Sequence, residues 1–312
     1  MADISGDHPA LSGIPLVLGG NVFGWTIDRD GSFAVLDAFY EAGGRMIDTA
    51  EGYSSWVPGN KGGESESIIG EWLETRGVRA DMRIGTKTGQ GGPPGALKPE
   101  AVAAALEGSL DRLRTDYVDL YYAHRDDLTT PLDEVVSAFD DAYRAGKARE
   151  LGASNYTAER LGEVIAMADR MQARGFTVMQ PLYNLVDRLD YEGPLQDLCV
   201  ASGVAVLPYY GLASGFLTGK YRSEADWADS SRAHALNNAV ANGGCAVLEA
   251  LRDVARELDA ACAQVALAWL VNQPGIAAPL ASATTPSQVA DLAGATRLQL
   301  TAEQSALLDS AK

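Results

Sequence analysis

The chain has 312 residues, and its 25 lysines and arginines against 42 aspartates and glutamates leave a formal net charge of −17 at pH 7. Nucleic acids and anionic membrane surfaces need a cationic footprint, so this balance argues against both as partners. Hydrophobic residues make up 46% and charged residues 21%, the composition of a folded globular protein rather than a disordered chain.

No apolar run approaches the roughly 18 residues that span a bilayer. The opening residues, with Asp3, Asp7 and His8, lack the basic region and apolar core of a secretory leader. Cys199, Cys245 and Cys262 are odd in number, have no C-x-x-C spacing and stand apart from any clustered His. They indicate neither a disulfide framework nor a zinc site, and no metal is expected. The expectation is a soluble, cytoplasmic protein.

In chain order, a short β-type run at 16–19 is followed by a helix over 32–42, a run at 46–49 by a helix over 64–74, and a run at 83–87 by a helix over 98–113. Lys98-Pro99-Glu100 is a start signal with proline in the first turn. The apolar, aromatic run 117–124 is a buried strand, and Pro131 opens a helix to Arg144. A run at 149–153 precedes a helix over 157–171, and runs at 176–181, 204–208 and 276–280 complete the strands.

Strict alternation of strand and helix implies a parallel sheet, and eight such units match a closed (β/α)₈ TIM barrel better than an open doubly wound sheet. The rival Rossmann-type sheet lacks its fingerprint, because the glycines of residues 19–24 are misplaced for G-x-G-x-x-G. No linker or composition shift divides the chain, so residues 1–312 are expected to form one barrel domain with a long loop after the seventh strand and extra C-terminal helices. That loop, residues 211–243, has no clear period and exceeds the roughly 4–6 residues usual for connections. Its glycine-rich first part suits backbone contact with phosphate, and its polar part, 224–238, is expected to be a mobile lid.

In such a barrel the strand ends and following loops form the reactive face. Asp48, Lys87 and His124 end the second, third and fourth strands, with Tyr53 in the loop after the second. Ser154 and Asn155 follow the fifth, Gln180 lies in the sixth, and Tyr209 follows the seventh. Each has a plain structural alternative. Asp48 can bond loop amides, Lys87 can sit in a buried ion pair, His124 can be a core histidine, and Ser154-Asn155 can cap the helix at Thr157.

From Gly19 to about Leu308 the chain resembles the aldo-keto reductase superfamily. The likeness is carried by Ile47-Asp48-Thr49-Ala50-Glu51-Gly52-Tyr53, Gly85-Thr86-Lys87, His124, Leu151-Gly152-Ala153-Ser154-Asn155, Gln180-Pro181-Leu182-Tyr183-Asn184-Leu185 and Gly215-Phe216-Leu217-Thr218-Gly219-Lys220-Tyr221. The resemblance implies that Asp48, Tyr53, Lys87 and His124 act together on a carbonyl. Hydride addition leaves alkoxide charge that must be stabilised and protonated. A tyrosine of ordinary pKa near 10 is a weak acid, and a neighbouring ammonium is expected to lower it. Asp48 is then expected to hold Lys87, and His124 to bond the carbonyl oxygen.

The resemblance further implies a nicotinamide carboxamide held by Ser154, Asn155 and Gln180, a ring stacked on Tyr209, and a pyrophosphate lined by Leu212, Gly215, Leu217 and Lys220. Thr285-Pro286-Ser287-Gln288 is a helix start, which makes Ala283, Thr284 and Gln288 candidates for the adenosine half. Residues 281–285 carry no Arg or Lys, where relatives preferring NADP place a cation for the 2′-phosphate, and Leu292 stands where an adenine-contacting Asn is common. NADP(H) is the expected cofactor, with NAD(H) a second candidate. The segment before Leu16 is short, so the hairpin that closes the barrel bottom in the family is expected to be reduced.

Trp25, Trp56, Val57 and Tyr122 are candidate substrate-pocket walls, with core packing the alternative for Tyr122. The expected activity is NAD(P)H-dependent reduction of a small-molecule aldehyde or ketone, with Tyr53 as the acid. The alternative is a nicotinamide-binding regulatory subunit similar to the potassium-channel β subunits of the same superfamily. A barrel isomerase or lyase without a redox cofactor is a third reading. The sequence assigns no oligomeric state.

Overall fold

The computed structural model describes residues 8–91, 93–221, 224–230 and 232–311. Eight strands, β1 (Val17–Gly19), β2 (Met46–Asp48), β3 (Arg83–Thr88), β4 (Leu120–Ala123), β5 (Leu151–Ser154), β6 (Val178–Gln180), β7 (Ala205–Val206) and β8 (Leu280–Ala281), form one sheet in which each pairs with its sequence neighbour and β8 returns to β1. All pairings are parallel. The circle closes where Val206 bridges Ile276: Gly275 O accepts from Val206 N at 3.0 Å, and Val206 O accepts from Ala277 N at 2.9 Å. This is the (β/α)₈ barrel expected from the alternation.

Outside the barrel run α1 (Arg29–Glu41), α2 (Glu64–Arg76), α3 (Pro99–Leu113), α4 (Leu132–Arg144), α5 (Ala158–Met171) and α6 (Pro194–Ser202). After β7 come a 3₁₀ segment (Ala213–Thr218), α7 (Ala233–Ala241), α8 (Gly244–Glu257) and α9 (Cys262–Val271), and after β8 come α10 (Pro286–Ala295) and α11 (Ala302–Ser310). Capping fixes several of these starts. Asp28 accepts from Gly31 N at 2.9 Å, so α1 begins three residues before the apolar period shows it. Gly77, at φ 65°, ends α2 with a left-handed turn.

One expectation changes. The stretch after β7 is not uniformly irregular, since α7 occupies part of the predicted lid. Its buried positions are Leu236 and Ala239, too few for a visible helical period. The expected lid also includes residue 231, which lies outside the described residues. At the barrel bottom, residues 1–7, part of the segment in which a reduced hairpin is expected, lie outside the described residues, and 8–13 form turns. Ala10, Leu11 and Ile14 pack with Val17, Met46, Leu120 and Val178 to close the interior from below. Among the described residues no helix is long and apolar enough to cross a membrane.

Candidate active site

Strand alternation sorts the interior by height. Successive side chains face opposite ways, so on β2 Met46 and Asp48 share the inner face, on β4 Leu120 and Tyr122, and on β6 Val178 and Gln180. The lower member of each pair is apolar and belongs to the central cluster, which Tyr122 also joins; Asp48 and Gln180, nearer the C-terminal ends, are polar. The outward residues Ile47, Tyr121 and Met179 pack under the helices instead.

At the polar level, Lys87 is fully buried and its Nζ donates to Asp48 Oδ2 at 2.5 Å, Thr49 O at 2.6 Å and Tyr53 Oη at 3.0 Å. Gln180 Nε2 donates to the other Asp48 oxygen at 2.9 Å. Three strands and one loop thus satisfy one ion pair, which an apolar interior tolerates only when its remaining donors and acceptors are met. The loop carrying Tyr53 is pinned: Ser54, at φ 68°, donates to Phe23 O at 2.8 Å, and Asn60 Nδ2 bonds both Gly24 O and Ser54 O. His124 leaves the end of β4 with its ring centroid 5.9 Å from that of Tyr53. The four residues predicted to act together are therefore adjacent.

Burial, reinforced by the Asp48 carboxylate, pushes the Tyr53 phenol well above its ordinary range. This reverses the expectation that Lys87 lowers it, because the ammonium is engaged by Asp48 and Thr49 and desolvation dominates. Burial also lowers the Lys87 ammonium, with Asp48 opposing. His124 is pulled down to about 3 by burial, then by the positive charges of Lys87 and Arg125, so its imidazole is neutral near pH 7, and its Nδ1 is buried with no protein partner among the described residues. A protonated phenol beside a buried ammonium and a neutral imidazole is a donor array suited to an oxygen that gains negative charge.

The predicted carboxamide residues form a network of their own. Asn155, in the left-handed region at φ 57°, donates from Nδ2 to His124 O at 2.9 Å and Ser154 Oγ at 3.1 Å, and accepts from Tyr209 Oη at 2.9 Å. Ser154 Oγ donates to Gln180 O at 2.8 Å. Thr157 caps α5 by accepting from Arg160 N at 3.2 Å, which removes the capping alternative for Ser154-Asn155. Together these bonds tie the ends of β4, β5, β6 and β7.

Beyond β7, Gly215 adopts φ 96°, and a Cβ there would lie 3.6 Å from Lys220 Nζ and 3.8 Å from Arg232 Nη1, so the backbone forms a small cationic cradle. Leu212 is half-buried, whereas Leu217 is fully buried and its N–H is taken by Leu212 O. Thr285 caps α10, accepting from Gln288 N at 3.3 Å, while Gln288 Oε1 accepts from Thr284 N at 2.7 Å, one residue before the cap. Ala283 is buried beside them. Leu292, which stands where an adenine-contacting Asn is common in the family, packs in the core.

Trp25 and Trp56 meet edge to face at 5.4 Å, and Trp56 lies 6.4 Å from Tyr53, so these aromatics line the approach to the phenol. Tyr122 is fully buried beneath Lys87, 5.7 Å from Nζ to ring centroid, and reaches no solvent. Sequence reasoning missed the hydrogen bond of Ser282 Oγ to Asn21 Oδ1 at 2.5 Å, which joins the loops after β8 and β1, and Arg232 over the Trp25 ring at 5.9 Å. It also missed Arg125, whose only signal was its place directly after His124.

A (β/α)₈ barrel whose C-terminal mouth gathers Asp, Lys and His from successive strand ends and Tyr from the loop after the second defines a narrow class of protein. A model of the Aldo/keto reductase family matches residues 15–312, and the chain belongs to that family. It is similar to the probable voltage-gated potassium channel subunits beta of Oryza sativa subsp. japonica, 33% identical over 86% of this chain and 83% of that protein, and of Arabidopsis thaliana, 32% identical over 86% and 82%. It is also similar to the uncharacterized oxidoreductase YrpG of Bacillus subtilis (strain 168), 32% identical over 92% of this chain and 89% of that protein.

Proposed function

We propose that the protein is a cytoplasmic oxidoreductase that uses a reduced nicotinamide dinucleotide to convert an aldehyde or ketone to its alcohol. The observation that carries this reading is the contact of one buried ammonium with both the Asp48 carboxylate and the Tyr53 hydroxyl. The oxidoreductase name of one similar protein supports it.

The cationic cradle at Gly215 and the neutral, unpartnered His124 Nδ1 fit such a cofactor. Lys220 and the backbone around Gly215 would hold the pyrophosphate, Tyr209 the ring, Asn155 and Gln180 the carboxamide, and Thr284 with the N-terminus of α10 the adenosine half. When bound, the cofactor supplies the hydride. Tyr53 Oη gives its proton to the carbonyl oxygen, and Lys87 offsets the charge that the phenol acquires. A phenol held well above its ordinary range keeps that proton at neutral pH, which suits the reducing direction. His124, uncharged, positions the oxygen, while Trp25 and Trp56 wall the pocket.

The test is dinucleotide oxidation by the purified protein over aldehydes and ketones, with NADPH and NADH in parallel. Tyr53→Phe should leave dinucleotide binding intact and lower turnover by roughly 10²- to 10⁴-fold; a variant that retains most activity refutes the acid. Without a cation in residues 281–285 the 2′-phosphate meets mainly the end of α10, so the preference for NADPH should stay within about tenfold.

A second reading is favoured by the similarity to proteins named as channel β subunits. In it the dinucleotide site serves a regulatory subunit. Saturable dinucleotide binding, negligible turnover of every carbonyl and a stoichiometric membrane partner would establish it.

A further inference from the structure

The N-terminal end of the barrel, opposite the active-site mouth, carries a polar cavity of its own. About 400 Å³ in volume and open to solvent, it is lined by Ser12, Gly13, Tyr40, Arg45, Asp81 and Arg83. Arg45 stands directly before β2 and Arg83 begins β3, and the backbone joins them, with Arg83 N donating to Arg45 O at 2.7 Å.

Each guanidinium is anchored by one nitrogen. Arg45 Nη1 donates to Tyr40 O at 2.8 Å and Gly44 O at 2.7 Å, and the group stacks 4.2 Å above the Tyr40 ring. Arg83 Nη1 donates to Ala10 O at 3.0 Å and Ser12 O at 2.8 Å. These bonds use both hydrogens of each Nη1. The Nε–Nη2 edge of each arginine, which can grip an oxyanion through two parallel bonds, has no partner among the described residues. Ser12 Oγ and Gly13 N are likewise unbonded among the described residues.

The rest of this rim handles its cations differently. Asp119, directly before β4, pairs with Arg79 at 3.0 Å and Arg149 at 3.1 Å, and Glu150, directly before β5, pairs with Arg174 at 2.6 Å. Under β2 and β3 two guanidiniums share one cavity, and neither forms an ion pair among the described residues. Asp81 lines the cavity too, but its Oδ2 accepts from Tyr40 Oη at 2.9 Å, which leaves Oδ1 for a donor on a ligand.

We propose that this cavity binds a phosphate dianion, free or as a small hydroxylated monoester, between the Nε–Nη2 edges of Arg45 and Arg83, with Ser12 Oγ and Gly13 N as further donors. An ester hydroxyl can donate to Asp81. Arg83 already holds Ala10 O and Ser12 O, in the segment that closes the barrel from below, so a bridging anion fastens that floor and binding registers as stability. The site is independent of the reductase reading and stands or falls without it.

The experiment follows thermal unfolding of the purified protein in inorganic phosphate or glycerol 3-phosphate, against chloride of equal ionic strength. A dissociation constant near 1 mM should raise the midpoint by about 2 °C at about 10 mM ligand, and the rise should follow a binding curve. Arg45→Gln and Arg83→Gln should each weaken binding roughly 10- to 100-fold and abolish the rise at that concentration. Lys220→Gln, at the Gly215 cradle, should keep it. A larger effect from the ester identifies a monoester as the ligand and an equal one free phosphate; both uphold the site.

No rise beyond chloride overturns the proposal. So does a rise that sulfate matches without saturation, or one that survives both arginine variants and is lost in Lys220→Gln. Should Arg83→Gln fail to fold, the Gly13 amide resonance of the ¹⁵N-labelled wild type decides: a saturable displacement by phosphate upholds the site, and an unmoved resonance overturns it.

Discussion

Replacing Lys87 with Met removes the donor to Asp48, Thr49 O and Tyr53, and leaves a fully buried carboxylate with Gln180 Nε2 as its remaining side-chain donor. Breaking a buried pair from one side costs about 3–5 kcal/mol. The penalty has a ceiling, because the carboxylate can instead take up a proton. Starting from an ordinary carboxylate pKa of about 3.9, that costs about 4 kcal/mol at pH 7. We therefore expect Lys87→Met to lose about 3–4 kcal/mol at pH 7.

The pH dependence follows with a definite sign. The folded variant would bind a proton that its unfolded chain lacks above about pH 4, so its stability falls as pH rises, by up to about 1.4 kcal/mol per unit. Acidification from pH 7 to 5 should narrow the gap to wild type. The double variant Asp48→Asn with Lys87→Met has no buried charge, and should recover about half the loss or more and abolish the extra pH slope. Urea titrations followed by circular dichroism at several pH values measure all three quantities. A single-variant penalty below about 0.5 kcal/mol, the size of an ordinary surface change, would refute the reasoning, as would a double variant no better than the single.

His124 is expected to remain neutral from pH 8 to below pH 5, so its imidazole resonance should not titrate there; an inflection between pH 6 and 7 refutes this. Because its folded pKa, about 3, lies below the unfolded 6.5, the unfolded chain binds the extra proton and stability is lost as pH falls through that interval. His124→Gln should blunt that acid sensitivity. The Tyr53 phenol should stay protonated through pH 10, so Tyr53→Phe should not change the phenolate absorbance that develops below that pH. Gly152→Ala places a Cβ 2.5 Å from Tyr122 Cδ1 and 3.0 Å from Val178 O, an overpacking expected to cost roughly 1–3 kcal/mol in denaturant titration. A smaller residue at 122 should recover part of that loss, and a neutral Gly152→Ala refutes the close fit.

The barrel was legible because buried parallel strands read as short apolar runs between helices with clear starts. Strand ends were less so. The run 117–124 suggests a long fourth strand, yet regular pairing covers Leu120–Ala123, with Val118 reduced to a single bridge. Pairing depends on where the neighbours stop, which no local pattern carries. Asp48, Lys87 and Gln180 stood out as polar residues closing apolar runs, whereas Tyr53 and Gly215 drew meaning from the family resemblance. The Asn155 bridge between His124 and Tyr209 had no sequence signal, since it joins residues 31 and 54 positions apart. The Tyr53 shift was misjudged in direction because burial depends on packing that a neighbouring lysine does not reveal.

The same alternation that builds the barrel also sets where polar groups can be placed in it. Two residues along a strand move an inward side chain about 6–7 Å toward the mouth, which is the step from Met46 to Asp48, from Leu120 to Tyr122 and from Val178 to Gln180. The lower member supplies apolar burial and the upper member a polar contact or the floor beneath one. The pair formed by Asp48 and Lys87 is affordable in that position because Thr49 O, Gln180 Nε2 and Tyr53 Oη occupy the remaining hydrogen-bonding directions. Moving the pair one step deeper would set it among Met46, Leu120 and Val178, which offer no side-chain partner, and the desolvation of two ions would then stand uncompensated. Moving it one step outward would expose it to water and weaken its hold on Tyr53. The level at which apolar packing gives way to polar side chains is therefore where one lysine can be both dry and fully bonded.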